Sequence, residues 1–209
     1  MSLHNTLTVL VLSIIFLFSY VVPQSANADS DGDLVAYYSF NAISDMQVYD
    51  ETGLGNDGTL INGTILNDGL FGKAAQFDGS GDYINVPYAP VLNTEHVTLS
   101  AWVNPSQIDD KNHYIVSNHR DCCDSPGKGG YGLRINKTSG SLRGEVWLNS
   151  SKTLLTVNST TPIPANIWTH VAMVFDGSNI RLYINGVLDR VSTTVAIDTI
   201  QPPTKDLTI

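Results

Sequence analysis

Residues 118–131, NHRDCCDSPGKGGY, bring an imidazole, a guanidinium, two carboxylates, an ammonium, two thiols and a phenol into fourteen positions. Such a stretch offers hydrogen-bond donors and acceptors to a polar ligand, and function gathers on loops carried by a rigid scaffold. His119, Arg120, Asp121 and Tyr131 are the candidate ligand-binding residues here. Trp147 joins them, because a flat indole covers the apolar face of a pyranose while Asp, Asn and Arg bond its hydroxyls. The competing reading of the stretch is a structural loop clip. Cys122 and Cys123 are the only cysteines. In an exported chain they should be oxidised, yet adjacent cysteines close only a small strained ring. Pairing with another chain and two free thiols are the alternatives. A zinc site drawn from His113, His119 and the two cysteines fits no standard ligand spacing.

A second chemistry lies in the aspartates. The chain has 20 acidic residues, of which seventeen are Asp and three are Glu: Glu51, Glu95 and Glu145. Asp50, Asp57, Asp78 and Asp82 sit in Gly/Asn-rich turns, where hard carboxylate and carbonyl oxygens can converge on calcium. The alternative is that each Asp bonds its own backbone and caps a turn. Residues 29–33, DSDGD, start like an EF-hand loop, but the position that needs a bidentate Glu is Phe40. There is no Gly-x-Ser-x-Gly elbow.

The elements that must position these groups read as strands. Residues 97–103, VTLSAWV, alternate: Val97, Leu99, Ala101 and Val103 point one way. Further strands are expected at 34–40, 74–77, 82–86, 113–118, 130–136, 142–148, 153–158, 168–175, 180–184 and 187–191, with 50–63 as a turn-rich loop. Asn185-Gly186 between two alternating runs is a strong hairpin signal. About ten short strands without an amphipathic helix mean a sandwich or barrel. Residues 206–209 begin one more strand.

Residues 7–22 form an apolar run, sixteen residues long, short of the roughly 20 that a membrane helix needs. Ala26-Asn27-Ala28 fits the small-x-small cleavage rule. Residues 1–28 therefore read as a secretory signal and 29–209 as one domain, exported to the cell surface or beyond, with no stable membrane span in the mature chain. The net charge of -9 argues against nucleic acid, whose binders need a basic face.

The segments LVAYYSF, DETGLGNDGTL, GKAAQFDGSGDYINV, VTLSAWVNP, WTHVAMVFDG and IRLYINGV occur in the order seen in laminin-G-like domains of the concanavalin A-like lectin/glucanase superfamily, which this chain resembles over residues 34–209. The resemblance implies an all-β fold, a jelly roll of two antiparallel sheets. It also implies closing strands after the DLTI position, so the domain reads as C-terminally incomplete. Some members bind calcium near the loops of Asp50 and Asp78. Trp102 and Trp168 fall in the family's strand motifs and read as core, and His170 in a recurring position reads as packing or a hydrogen bond. The glucanase branch uses two acids, two or four positions apart on one strand; here Glu145 stands alone in GEVW, with Trp147 where a second acid would sit. The expected function is a non-catalytic, lectin-like module for carbohydrate or glycoprotein, calcium-assisted. An extracellular protein-adhesion module is the alternative, and an accessory or degenerate glycoside hydrolase domain is the third reading.

Overall fold

A computed structural model describes residues 7–10, 34–62, 64–119 and 129–209. In chain order the strands are β1 (Leu7–Leu10), β2 (Ile43–Ser44), β3 (Gln47–Val48), β4 (Gly58–Ile61), β5 (Ile65–Asp68), β6 (Lys73–Phe77), β7 (Tyr83–Val86) and β8 (Val97–Pro105). They continue with β9 (His113–Ser117), β10 (Tyr131–Ile135), β11 (Ser141–Trp147), β12 (Leu154–Pro162), β13 (Thr169–Phe175), β14 (Ile180–Ile184), β15 (Val187–Val191) and β16 (Leu207–Thr208). One 3-10 turn, Pro90–Leu92, is the only helical piece among the described residues. Every strand pair is antiparallel, and two sheets result. One runs β15-β14-β13-β8-β1-β6-β5, the other β12-β11-β10-β9-β16-β7-β4-β3-β2. This is the expected antiparallel sandwich.

The core lies between the sheets and follows the period of two. Val97, Leu99, Ala101 and Val103 of β8 are buried, as are Val171, Met173 and Phe175 of β13. From the other sheet come Leu133 and Ile135 of β10, and Leu142 and Val146 of β11. At Gly144 the sheets approach so closely that a Cβ would stand 2.7 Å from Met173 Sδ and 3.0 Å from Ile180 Cγ2. Asn185 and Gly186, with φ of 50° and 78°, make the tight turn between β14 and β15.

Four features depart from the sequence reading. Residues 34–40 join no ladder, although Ala36, Tyr38 and Phe40 are buried in alternation. Their backbone is taken up by the neighbouring turn instead: Tyr37 N–H donates to Asp50 Oδ1 at 3.0 Å, Ser39 N–H to Glu51 Oε1 at 3.1 Å, and Glu51 N–H to Tyr37 O at 2.9 Å. The expected loop 50–63 contains β4, because Thr59-Leu60-Ile61 after Asp57-Gly58 alternates well enough to pair with β7. Leu7–Leu10, within the apolar leader, lies between β6 and β8, with Val9 opposite Ala75 and Val103. The strand begun at 206–209 is central rather than marginal: Thr208 faces Asn85 of β7 and Ser117 of β9, and Ile84 and Ile209 exchange backbone hydrogen bonds of 2.8 and 3.0 Å.

Candidate functional site

On the nine-stranded sheet the residues between the core positions point outward, and on β9 to β11 they converge. Gly132 of β10 is paired with Glu145 of β11, Arg134 with Arg143, and Tyr114 of β9 with Arg134. His119 follows β9 and lays its ring over Gly132: a Cβ there would come within 2.7 Å of Nε2. Glycine at 132 is thus what admits the imidazole to the sheet.

Glu145 is the hub, 2% exposed. Arg134 Nη2 donates to its Oε1 at 3.0 Å, and Arg143 Nε donates to the same oxygen. His119 Nε2 lies 2.9 Å from Oε2, an electrostatic approach rather than a well-aligned hydrogen bond. Burial pushes the Glu145 carboxyl upward. The close approach of His119, the hydrogen bond from Arg143 and the charge of Arg134 outweigh that and hold it at about 2. Arg134 also stands over the Tyr114 ring, 5.4 Å from its centroid, and His119 meets Tyr114 edge to face at 6.0 Å. Among the described residues, His119 Nδ1 and Arg134 Nε are buried without a hydrogen-bond partner. Arg143 is the most open of the charged members, its side chain 25% exposed. Its two terminal nitrogens make no hydrogen bond among the described residues.

Chemically this is a fixed, ionised carboxylate inside a cationic frame. A glycoside hydrolase needs one carboxyl that is protonated and a second carboxylate across the bond. Glu145 is ionised, and its nearest outward neighbours by register are Arg143, Trp147, Gly132 and Thr156, none of them acidic.

Trp147 lies two positions beyond Glu145 on the same face, half-buried and opposite Leu154. Its backbone is clamped on both sides: its N–H donates to Gly130 O at 3.0 Å, and its carbonyl accepts from Gln201 N–H at 2.8 Å. Tyr131 corrects the sequence reading. It is 3% exposed, faces the core, and donates its hydroxyl to Leu92 O at 3.1 Å. Burial raises its pKa well above the ordinary phenol range. Its position on β10 gives it the inward phase, so it is a core residue and no ligand contact. Arg120, Asp121, Cys122 and Cys123 lie outside the described residues. The two ends of their segment are tied: Tyr131 N–H donates to Asn118 Oδ1 at 2.8 Å, and Asn118 N–H to Tyr131 O at 3.1 Å.

The four aspartates form two pairs. Asp50 accepts from Tyr37 N–H, Thr52 N–H, the Thr52 hydroxyl and Asn56 N–H, at 2.7–3.1 Å. Asp57 accepts from Asp50 N–H at 2.8 Å. These oxygens hold a turn together, which is the capping role. Asp82 Oδ2 accepts from Asp78 N–H at 2.9 Å, and Asp78 Oδ1 from Ser80 N–H at 2.7 Å. Among the described residues, Asp82 Oδ1 is buried without a partner. No group of three or more His, Cys, Asp or Glu side chains converges among the described residues, so the side chains alone fall short of the six to eight oxygens calcium takes.

Sequence reasoning did not select Arg134, Arg143 or Tyr114. A signal was present: Arg143 and Glu145 are charged at i and i+2 on a strand whose alternate residues are apolar, so they share its outward face. Asp198 also escaped notice. It is 7% exposed and accepts from Ser150 N–H at 2.9 Å and Thr199 N–H at 2.8 Å, pinning the turn that follows Trp147. These backbone donors, outweighing the upward push of burial, lower its pKa. His170 does what its position implied, meeting Ser100 Oγ at 2.8 Å and packing on Trp102 with ring centroids 5.3 Å apart. Burial lowers its pKa.

A sandwich of two antiparallel sheets with a polar, aromatic-edged outward face belongs to the jelly-roll class. Residues 78–209 match the Laminin_G_3 family model, and the chain belongs to that family, within the concanavalin A-like lectin/glucanases superfamily. Comparison with curated proteins finds no match. Among solved structures, the chain is similar to domain 4 of AbnA, a GH43 extracellular arabinanase from Geobacillus stearothermophilus, in complex with arabinotriose. The identity is 23%, the TM-score 0.50, and 76% of this chain and 84% of that one are covered. It is also similar to the carbohydrate-binding module CBM66 from Bacillus subtilis, at 17% identity and TM-score 0.40, covering 73% and 86%. A third is the receptor-binding domain of botulinum neurotoxin D, at 14% identity and TM-score 0.49, covering 77% and 45%. No helix among the described residues is long and apolar enough to cross a membrane.

Proposed function

We propose that this chain is an exported, non-catalytic carbohydrate-binding module, and that the outward face of β9 to β12 is its binding surface. The observation that carries the reading is the constellation of Arg134, Arg143 and Glu145 on neighbouring strands with His119 just past β9, and Trp147 beside it on the same face. Rigid strands fix these groups in advance, which lowers the cost of ordering them on a sugar. Trp147 supplies an apolar plane and Arg143 supplies hydrogen-bond donors, the two elements a pyranose requires. The arabinotriose complex of the similar arabinanase domain supports the reading.

In this reading residues 1–28 direct export. Calcium, where it assists, is held at the Asp78–Asp82 turn, whose Asp82 Oδ1 lacks a partner among the described residues. The test is binding of the folded protein to a broad glycan array, in calcium and in chelator. Selective retention of one glycan class, abolished in Trp147→Ala, is the expected result. Silence from folded protein overturns the reading in favour of a protein-adhesion module. Loss of binding in chelator assigns calcium a part.

A further inference from the structure

Resting on that reading, we infer that the surface selects glycans bearing a carboxylate, with Arg143 as the residue that meets it. The argument is a count of donors against acceptors. Two guanidiniums and one imidazole surround a single carboxylate. Both oxygens of Glu145 are already engaged, Oε1 twice. The two guanidiniums outnumber the one carboxylate, so the cluster carries surplus positive charge, in a chain whose net charge is -9. A neutral sugar needs acceptors as well as donors, because each hydroxyl gives a proton as well as receiving one. Here the one strong acceptor is taken, and what is left over is donors.

The surplus has a definite location. Arg134 is the more deeply placed guanidinium, its side chain 12% exposed, while Arg143 reaches outward at 25%. Arg143 Nε is fixed by Glu145, so the rest of its planar fork is held in one orientation, with two terminal nitrogens free of hydrogen bonds among the described residues. A guanidinium fork matches a carboxylate with two parallel hydrogen bonds. Around it by register stand Asn158 on β12 and Trp147 two positions beyond Glu145, which offer a hydroxyl partner and a ring platform. Glu145 thereby acts as a positioning residue: it orients Arg143 and keeps the cluster from carrying the full charge of two arginines. A polysulfated chain would bring many negative charges toward an acidic protein, whereas one carboxylate per sugar meets the local surplus with less repulsion.

The experiment titrates the full chain with polygalacturonate and with the same polymer after carboxyl reduction, which keeps the linkage and removes the charge. A neutral glycan array and heparin run in parallel. Polygalacturonate is expected to bind at least about tenfold more tightly than its reduced form, with affinity falling as salt rises. Arg143→Gln should lose that preference while keeping the wild-type melting temperature within a few degrees, and Arg143→Lys should retain only part of it. Equal binding of native and reduced polymer overturns the inference and leaves the carbohydrate reading standing. Preference for heparin over polygalacturonate likewise overturns it. Silence toward every glycan, from protein whose melting curve is intact, overturns both.

Discussion

Asp50 and Glu145 are carboxylates shut away from solvent, 6% and 2% exposed, and they are held by opposite kinds of donor. Asp50 collects backbone N–H groups from Tyr37, Thr52 and Asn56, all within its own turn or the segment passing beside it. Glu145 collects two side-chain cations from its own sheet and the imidazole of His119 beyond it. The first arrangement surrounds a carboxylate with neutral dipoles, peptide N–H groups together with the Thr52 hydroxyl and the Asn56 amide, and adds no charge; it is a device for shaping the chain. The second brings more charge than it cancels. A buried acid is therefore informative about binding only once its donors are known.

Removing each acid separates the two regions most sharply. Glu145→Ala should destabilise the protein by about 3–5 kcal/mol, since it strands two partly buried guanidiniums, and should abolish glycan binding. Thermal or urea unfolding together with titration of the variant checks both. Asp50→Ala should cost about 2–3 kcal/mol, as peptide N–H groups lose their acceptor. The fraction that remains folded should bind glycan with unchanged affinity, and a weaker affinity would break the distinction.

A pH series sharpens it. The Glu145 pKa is lowered from 4.5 to about 2, so the stability it contributes is complete above the unfolded value and is lost as pH falls from about 4.5 toward 2. Acid unfolding curves of wild type and Glu145→Gln should diverge at neutral pH, by a few kcal/mol, and converge near pH 2. Curves that stay parallel throughout would contradict the ion-pair account. Smaller again is Gly132→Ala. A methyl group 2.7 Å from His119 Nε2 must tilt the imidazole off Glu145, at a cost of about 1–2 kcal/mol. The His119 ring resonances should shift, while those of His170 on the other sheet stay where they are.

The architecture was legible because it depends on local alternation and turn chemistry. Val97 to Val103 and the Asn185-Gly186 hairpin carry their own instructions. The opening segment was misread for the same reason. Its alternation is real, but whether a strand joins a ladder depends on what lies beside it, and here the Asp50 turn took its backbone first. The proposed binding surface was half legible. His119 and Trp147 stand out by type, whereas Arg134 matters only because β10 lies in register beside β11. Tyr131 shows the converse: a residue type suited to ligands, placed by strand phase in the core. Pairing register is a non-local fact, and no window of sequence contains it.

The placement of β16 has a consequence for the order of events in folding. Among the described residues, Leu207–Thr208 is the strand that joins β9 to β7, so β2, β3, β4 and β7 on one side and β9 to β12 on the other meet through it. Contacts across such sequence separations form late. During synthesis the earlier half-sheet leaves the ribosome first and waits with the edge of β7 exposed, a ready template for wrong pairing. Its correct partner arrives only once residues 207–209 have emerged. The joining of the two half-sheets is thus tied to the latest of these strands, and anything that covers β7 until β16 arrives would protect that edge.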